Sequence, residues 1–230
     1  MGRTLMKKTV VPTLALALLA APIFAENDKH FTYLALGDSY TIGTGASGPA
    51  HSWPAIIAAR LAEHSAREVE LTNPAINGFT TQDLIDDELP QVQRLRPDLV
   101  TILIGVNDLV RERTPGDYRG SLVRIYNEVG KEKAPDGRVF AISIPNWSVV
   151  PAARQFGDPE QIRDLTDTFN DVARDEATAR GFGWIDITAA SISGLGTPGW
   201  ISSDGLHPGD GQYAAWAEAI WHSVREAVKQ

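Results

Sequence analysis

The chain of 230 residues contains no cysteine. That single absence excludes a disulfide framework, a thiolate nucleophile and a sulfur-ligated metal site. Basic residues are scarce beside acidic ones, 21 Lys and Arg against 29 Asp and Glu. Such a surface repels phosphate backbones and anionic bilayers, so neither nucleic acid nor a membrane surface is expected as the main partner. Histidine is sparse as well, and neither H-E-x-x-H nor any two His at ligand spacing occurs. Asp38, Asn107 and His207 carry oxygen or nitrogen donors, but a two-metal phosphoesterase needs several more, so no metal or other cofactor is expected.

Long apolar runs are also missing. The uncharged stretch from Val10 to Ala21 is short for a bilayer span, and Pro12 and Pro22 bracket it. Arg3, Lys7 and Lys8 precede it, and "PIFA" closes it before the polar "ENDKH". Residues 1–25 therefore read as a cleaved secretory signal peptide, although Ile23 is bulky for the position three before the cut. No lipid-anchoring cysteine follows, so no stable membrane anchor is expected after cleavage, and the product is expected to be periplasmic or extracellular. Removal leaves 18 Lys and Arg against 29 Asp and Glu, a net charge of −11. Residues 26–230 carry no repeat or low-complexity tract and suit a single domain.

Short β-rich runs alternate with longer amphipathic ones. "FTYLAL" (31–36), "EVELT" (68–72), "DLVTILIG" (98–105), "RVFAISI" (138–144) and "FGWIDI" (182–187) are expected strands. Helices are expected near 53–64, 81–94, 117–131, 159–180 and 211–229. In the last, Tyr213, Trp216, Ala217, Ile220, Val224 and Val228 recur at helical spacing and mark a core stripe. Trp184, Trp216 and Trp221 are read as core. Strand–helix alternation implies an α/β fold, a parallel sheet between two helical layers with its working site at the carboxyl ends of the strands.

The stretch "LALGDSYTIGTGASG" (34–48) allows two readings. Gly43, Gly45 and Gly48 form a Gly-x-Gly-x-x-Gly run, with Glu70 as a ribose-binding acid. A dinucleotide loop, however, needs its glycines directly after the strand and a helix at once beyond them. Here Pro49 and Pro54 delay the helix to about Trp53, with Ser52 as its cap, so the glycines suit a flexible surface loop. The second reading places Ser39 in a sharp turn after the first strand. A hydroxyl is a weak nucleophile and requires a base, a group orienting that base, and donors for an oxyanion. "SSDGLHPGD" supplies Asp204 and His207 after the fifth strand, "ILIGVND" supplies Asn107 after the third, and "NPAINGFTT" supplies Gly78 after the second.

Together these blocks resemble the SGNH/GDSL-type serine hydrolases, and the resemblance spans essentially the whole sequence after the signal segment. It implies a flavodoxin-like five-stranded parallel sheet of order 2-1-3-4-5 and hydrolysis of esters or thioesters without a cofactor. It assigns Ser39 as nucleophile, His207 as base, Asp204 as orienting acid, and the Ser39 N–H, Gly78 N–H and Asn107 amide as oxyanion donors. Tyr40 departs from the usual Leu of the first block and is expected to alter the pocket wall, where Phe79, Trp147 and Trp200 are further candidates. Asp38 and Asp108 are expected to hold their loops through backbone hydrogen bonds, and Asp210 to cap the last helix. Pro208 is expected to fix the turn after His207, and His51 to lie in a loop able to fold over the pocket. The expected substrate is a small-molecule or carbohydrate ester with a short acyl chain, such as an O-acetyl group. A thioesterase or lysophospholipase for longer chains and a catalytically silent carbohydrate-binding module are the alternatives.

Overall fold

Each β-rich run forms a strand: β1 (His30–Gly37), β2 (Glu68–Thr72), β3 (Leu99–Leu103), β4 (Arg138–Ile142) and β5 (Gly183–Ile185). The computed structural model of the chain describes residues 1–2, 30–65 and 67–228. All but the first two residues of the expected signal segment lie outside the described residues. All strand pairings are parallel and the sheet order is β2-β1-β3-β4-β5. β3 is buried along its whole length, which its continuous apolar sequence requires of a strand covered on both faces. Gly37 at the end of β1 lies beside Leu103 at the end of β3. From β1 the chain crosses to β2 on one side and later returns to β3 on the other. The crevice between these two strand ends is the topological switch point where such sheets bind ligands.

α2 (Trp53–Ser65) and α9 (Asp210–Ala227) pack together, as do α6 (Pro115–Glu132) and α7 (Pro159–Thr178), covering the sheet as two helical layers. The stripe read on α9 is core: Tyr213, Trp216, Ala217, Ile220 and Val224 are all fully buried. Trp184, Trp221 and Val228 are half-buried and pack against that core. Ser52 stands just before α2, its carbonyl accepting the Ile56 N–H at 3.1 Å and its hydroxyl donating to the Pro49 carbonyl at 2.9 Å.

The expected helix over 81–94 is broken. α3 (Thr81–Asp83) runs into a π-helical turn at Leu84–Glu88, and α4 (Pro90–Leu95) follows. Pro90 brings no N–H and its ring clashes with a continuing α-helix, so one extra residue is accommodated just before it. Leu89 N–H reaches back five residues to the Leu84 carbonyl at 2.9 Å. The widened turn buries Glu88 at 1% exposure. Three short helices, α1 (Ser39–Ile42), α5 (Val106–Val110) and α8 (Thr188–Ile192), directly follow strands. Runs of four or five residues are too short to show a helical period.

Candidate active site

Ser39 is the first residue of α1, one residue beyond the end of β1. Asp38 caps this helix, its Oδ1 accepting the Tyr40 N–H at 3.0 Å. The cap forces the sharp strand-to-helix turn that lifts the serine to the sheet edge. Asn107 occupies the equivalent place after β3, as the second residue of α5. Its Nδ2 donates to the Phe79 carbonyl at 2.9 Å and lies 3.5 Å from Asp38 Oδ2. Between them stands Gly78, with φ +81°. Its carbonyl is held by Arg111 Nη2 at 2.9 Å. Among the described residues no hydrogen bond is assigned to the N–H of Ser39 or of Gly78. Those two N–H groups, with the Asn107 amide hydrogen not given to the Phe79 carbonyl, are the donors at this edge.

Asp204 and His207 lie on a tight excursion closed by Ser202 N–H to the His207 carbonyl and by a bridge between Ile201 and Pro208. Asp204 Oδ1 accepts the Ser202 hydroxyl and the Leu206 and His207 N–H groups, at 2.7, 2.8 and 2.9 Å. Its Oδ2 meets His207 Nδ1 at 2.6 Å. Partial burial pushes the Asp204 carboxyl up, but these hydrogen bonds outweigh it and hold the carboxyl well below the usual range. With the shared proton on Nδ1, the His207 Nε2 is left as an acceptor.

Ser39, Tyr40, Gly78, Asn107 and His207 line one cavity of about 240 Å³, together with Val106, Val110, Trp147, Phe156 and Leu206. No hydrogen bond joins Ser39 to His207 among the described residues, and such contacts commonly tighten only when substrate binds. A hydroxyl, an imidazole oriented by a carboxylate, and amide donors around one apolar chamber are the parts of acyl transfer through a serine. Among the described residues no three of His, Asp and Glu converge as metal ligands.

A family profile described as GDSL-like lipase/acylhydrolase matches residues 35–215. The chain belongs to that family. An arylesterase of Vibrio mimicus is 27% identical over 177 residues, covering 76% of this chain and 78% of the relative. The lipase/acylhydrolase of Enterococcus faecalis superposes with a TM-score of 0.68 at 25% identity, over 85% of this chain and 96% of the other. An acetylxylan esterase of Geobacillus stearothermophilus, as a catalytic mutant, gives 0.68 at 19% identity over 84% and 94%. That last likeness is one of fold. The chain is thus a GDSL-like carboxylic ester hydrolase.

The expected pocket wall needs correction in this hydrolase. Tyr40 and Trp147 line the cavity; Phe79 and Trp200 do not. Phe79 contributes its backbone carbonyl to Asn107. Trp200 is buried with its Nε1 donating to the Ser191 carbonyl at 3.0 Å, which fixes the 191–200 segment. Val106, Val110, Leu206 and Phe156 complete the wall, and Phe156 meets Trp147 edge-on at 5.7 Å. Tyr40 packs against both His207 and Trp216, with ring centroids 6.1 and 5.6 Å apart.

The glycine loop is also more than a flexible connection. Gly45 has φ +93°, and a Cβ there would lie 2.5 Å from the Pro208 carbonyl oxygen and 3.0 Å from His207 Cβ. Only glycine lets this loop lie against the His207 turn. Asp210 does not cap α9; it accepts the Ser47 N–H and hydroxyl at 2.8 and 2.6 Å and faces His51 Nδ1 at 3.4 Å. His51 is thereby drawn to the start of α9 and is not among the residues lining the cavity.

Behind the donors lie three buried acids. Asp108 accepts the Thr81 N–H and hydroxyl at 2.8 and 2.6 Å, tying the loops after β2 and β3 together. Burial pushes its carboxyl up against those bonds and the nearby Arg113. Burial pushes Asp38 up to about 7, with Asp108 adding to the effect and the Tyr40 N–H opposing it. Glu88 Oε2 accepts the Gly37 N–H at 2.9 Å, while its Oε1 is buried without a partner among the described residues. Burial, helped by Asp38 and Asp87 and opposed by the Gly37 N–H, pushes this carboxyl up to about 8.

Proposed function

We propose that this chain is an exported serine esterase that hydrolyses carboxylic esters of short acyl chains through an acyl-enzyme on Ser39. The observation that carries the reading is the 2.6 Å contact of Asp204 with His207, on a ring that lines the same cavity as Ser39 and Asn107. Ser39 Oγ forms a bond to the acyl carbonyl carbon as His207 Nε2 takes its proton. The carbon–oxygen bond to the alcohol then breaks, and His207 returns the proton to the departing alkoxide. Water, deprotonated by the same imidazole, attacks the acyl-enzyme and releases the acid and the free serine. Asp204, ionised across the working pH range, steadies the imidazolium. The oxyanion of each tetrahedral intermediate is received by the N–H groups of Ser39 and Gly78 and by the Asn107 amide.

Chain length follows from room. The cavity is small, about 240 Å³, with Trp147 and Phe156 in its wall. Room of this size favours short acyl groups over long ones. The signal-like segment of residues 1–25 supports export; no helix among the described residues is long and apolar enough to cross a membrane.

The test is a fluorophosphonate, which should label the protein stoichiometrically at Ser39, together with p-nitrophenyl esters from acetate to palmitate. Activity should fall with chain length; a rise would reject the short-chain reading, and labelling elsewhere would reject the serine. Phe156 is 46% exposed and can be trimmed with little loss of core packing. Phe156→Ala should raise kcat/KM for octanoate relative to acetate; an unchanged ratio would show that this ring does not bound the acyl site. Asn107→Ala should lower kcat by about a hundredfold or more with little change in KM, as loss of an oxyanion donor does. Near-normal turnover would remove Asn107 from the oxyanion site.

A further inference from the structure

On the far side of Asn77 from Ser39 lies a second, more open groove of about 530 Å³. Its walls include Ile42, Thr44, Ala46, Pro49 and Ile76, and Asn77 lines both this groove and the catalytic cavity. The two spaces therefore share Asn77 as a wall. Ile42 lies on α1 itself, three residues after Ser39. Ile42 and Ile76 are 43% and 48% exposed, and neither belongs to the core cluster. Single exposed isoleucines need no explanation, but two flanking one groove beside a reactive serine form a patch a ligand can cover.

The chemistry of the groove is narrow. Among the described residues no charged side chain and no aromatic ring lines it. Its two polar side chains are bonded to each other, Thr44 Oγ1 donating to Asn77 Oδ1 at 2.5 Å, which leaves the Asn77 amide hydrogens as its side-chain donors. The loop is also held in place from behind: Tyr213 donates its hydroxyl to the Thr44 carbonyl at 2.7 Å, and Ser47 is bound to Asp210. A ligand entering it would have little loop ordering to offset.

We infer that this groove is the subsite for the alcohol half of the ester and that it selects an uncharged alcohol with an apolar aryl or alkyl body. The inference rests on the serine-esterase reading. The acyl group stays bound through the covalent intermediate and suits the enclosed chamber, whereas the alcohol must leave and suits the open groove. Sugar hydroxyls out of reach of the Asn77 amide would lose water against isoleucine and proline without gaining partners, a cost of about 1–3 kcal/mol for each group left unsatisfied. A phosphate-bearing headgroup would find no Lys or Arg along the walls.

Acetates of primary alcohols with similar leaving-group chemistry separate this subsite from reactivity. For the full chain, kcat/KM for 2-phenylethyl acetate should exceed that for ethyl acetate and for 6-O-acetylglucose by about tenfold or more. The double variant Ile42→Ser/Ile76→Ser should reduce that preference to near unity. Leu195→Ser, an exposed leucine outside both spaces, should leave the preference as in the parent. A preference that survives the double variant, or a parent enzyme that favours the acetylated sugar, overturns the assignment. Fluorophosphonate labelling of Ser39 keeps the two conclusions apart. A labelled enzyme without the preference overturns the groove alone, whereas an unlabelled enzyme inactive on all three esters overturns the serine mechanism and the groove with it.

Discussion

Alanine at position 39 should lower ester turnover by about four to six orders of magnitude while leaving the fold intact. Ser39 is 7% exposed, and among the described residues its only bonds are those its backbone carbonyl accepts from the Gly43 and Thr44 N–H groups. Deleting the hydroxyl therefore strands no buried partner, and Tm should move little. What is lost, on the proposed mechanism, is the atom that becomes covalent. Residual rate should come from the oxyanion donors and from bound water. His207→Ala should cost about as much, and the double variant little more than either, because nucleophile and base act as one unit. Measured p-nitrophenyl acetate hydrolysis within tenfold of the parent in Ser39→Ala would sink the mechanism. Additive losses in the double variant would show that the two residues do not share a step.

Glu88→Gln should make the protein more stable in alkaline solution and change it little in mild acid. The Glu88 carboxyl is raised from its ordinary value of 4.5 to about 8. Between those values the unfolded chain has lost the proton while the folded chain keeps it, so the folded state binds more protons and its stability falls as pH rises. The slope for one such group approaches about 1.4 kcal/mol per pH unit across that window. Glutamine imitates the protonated acid and retains an oxygen for the Gly37 N–H, so this slope should vanish. Near pH 5 the two proteins should melt close together; by pH 8 the variant should lead, at about 2–4 °C for each kcal/mol. Parallel Tm curves for the two proteins from pH 5 to 8 would refute a protonated Glu88. Asp38, raised to about 7, should leave a smaller slope of the same sign in the variant.

The strands were legible because burial on both faces leaves few alternatives to a continuous apolar run, as β3 shows. The α9 stripe was legible because a long helix repeats its period five times over. Asp204 and His207 could be read together because the carboxylate accepts backbone N–H groups two and three residues on, which fixes their spacing locally. The break at 84–90 was signalled by Pro90, but the inward turn of Glu88 depends on a widened helix that no period announces. Phe156 and Arg111 gave no local sign. Phe156 reaches the cavity through the fold of the 145–158 loop, anchored by Trp147 Nε1 on Thr166 at 3.1 Å. Arg111 acts on Gly78 across 33 positions of sequence. Trp200 could have been a pocket wall or a strut, and only the partner of its indole N–H decides between them.

The packing of α9 on α2 also joins two parts of the chain that are far apart in sequence. The Ser39 turn and the helix that follows the His207 turn are held together where Tyr213 and Trp216 seat against Thr44 and Tyr40. On the proposed mechanism, a chain whose α9 came loose would carry a serine parted from its base.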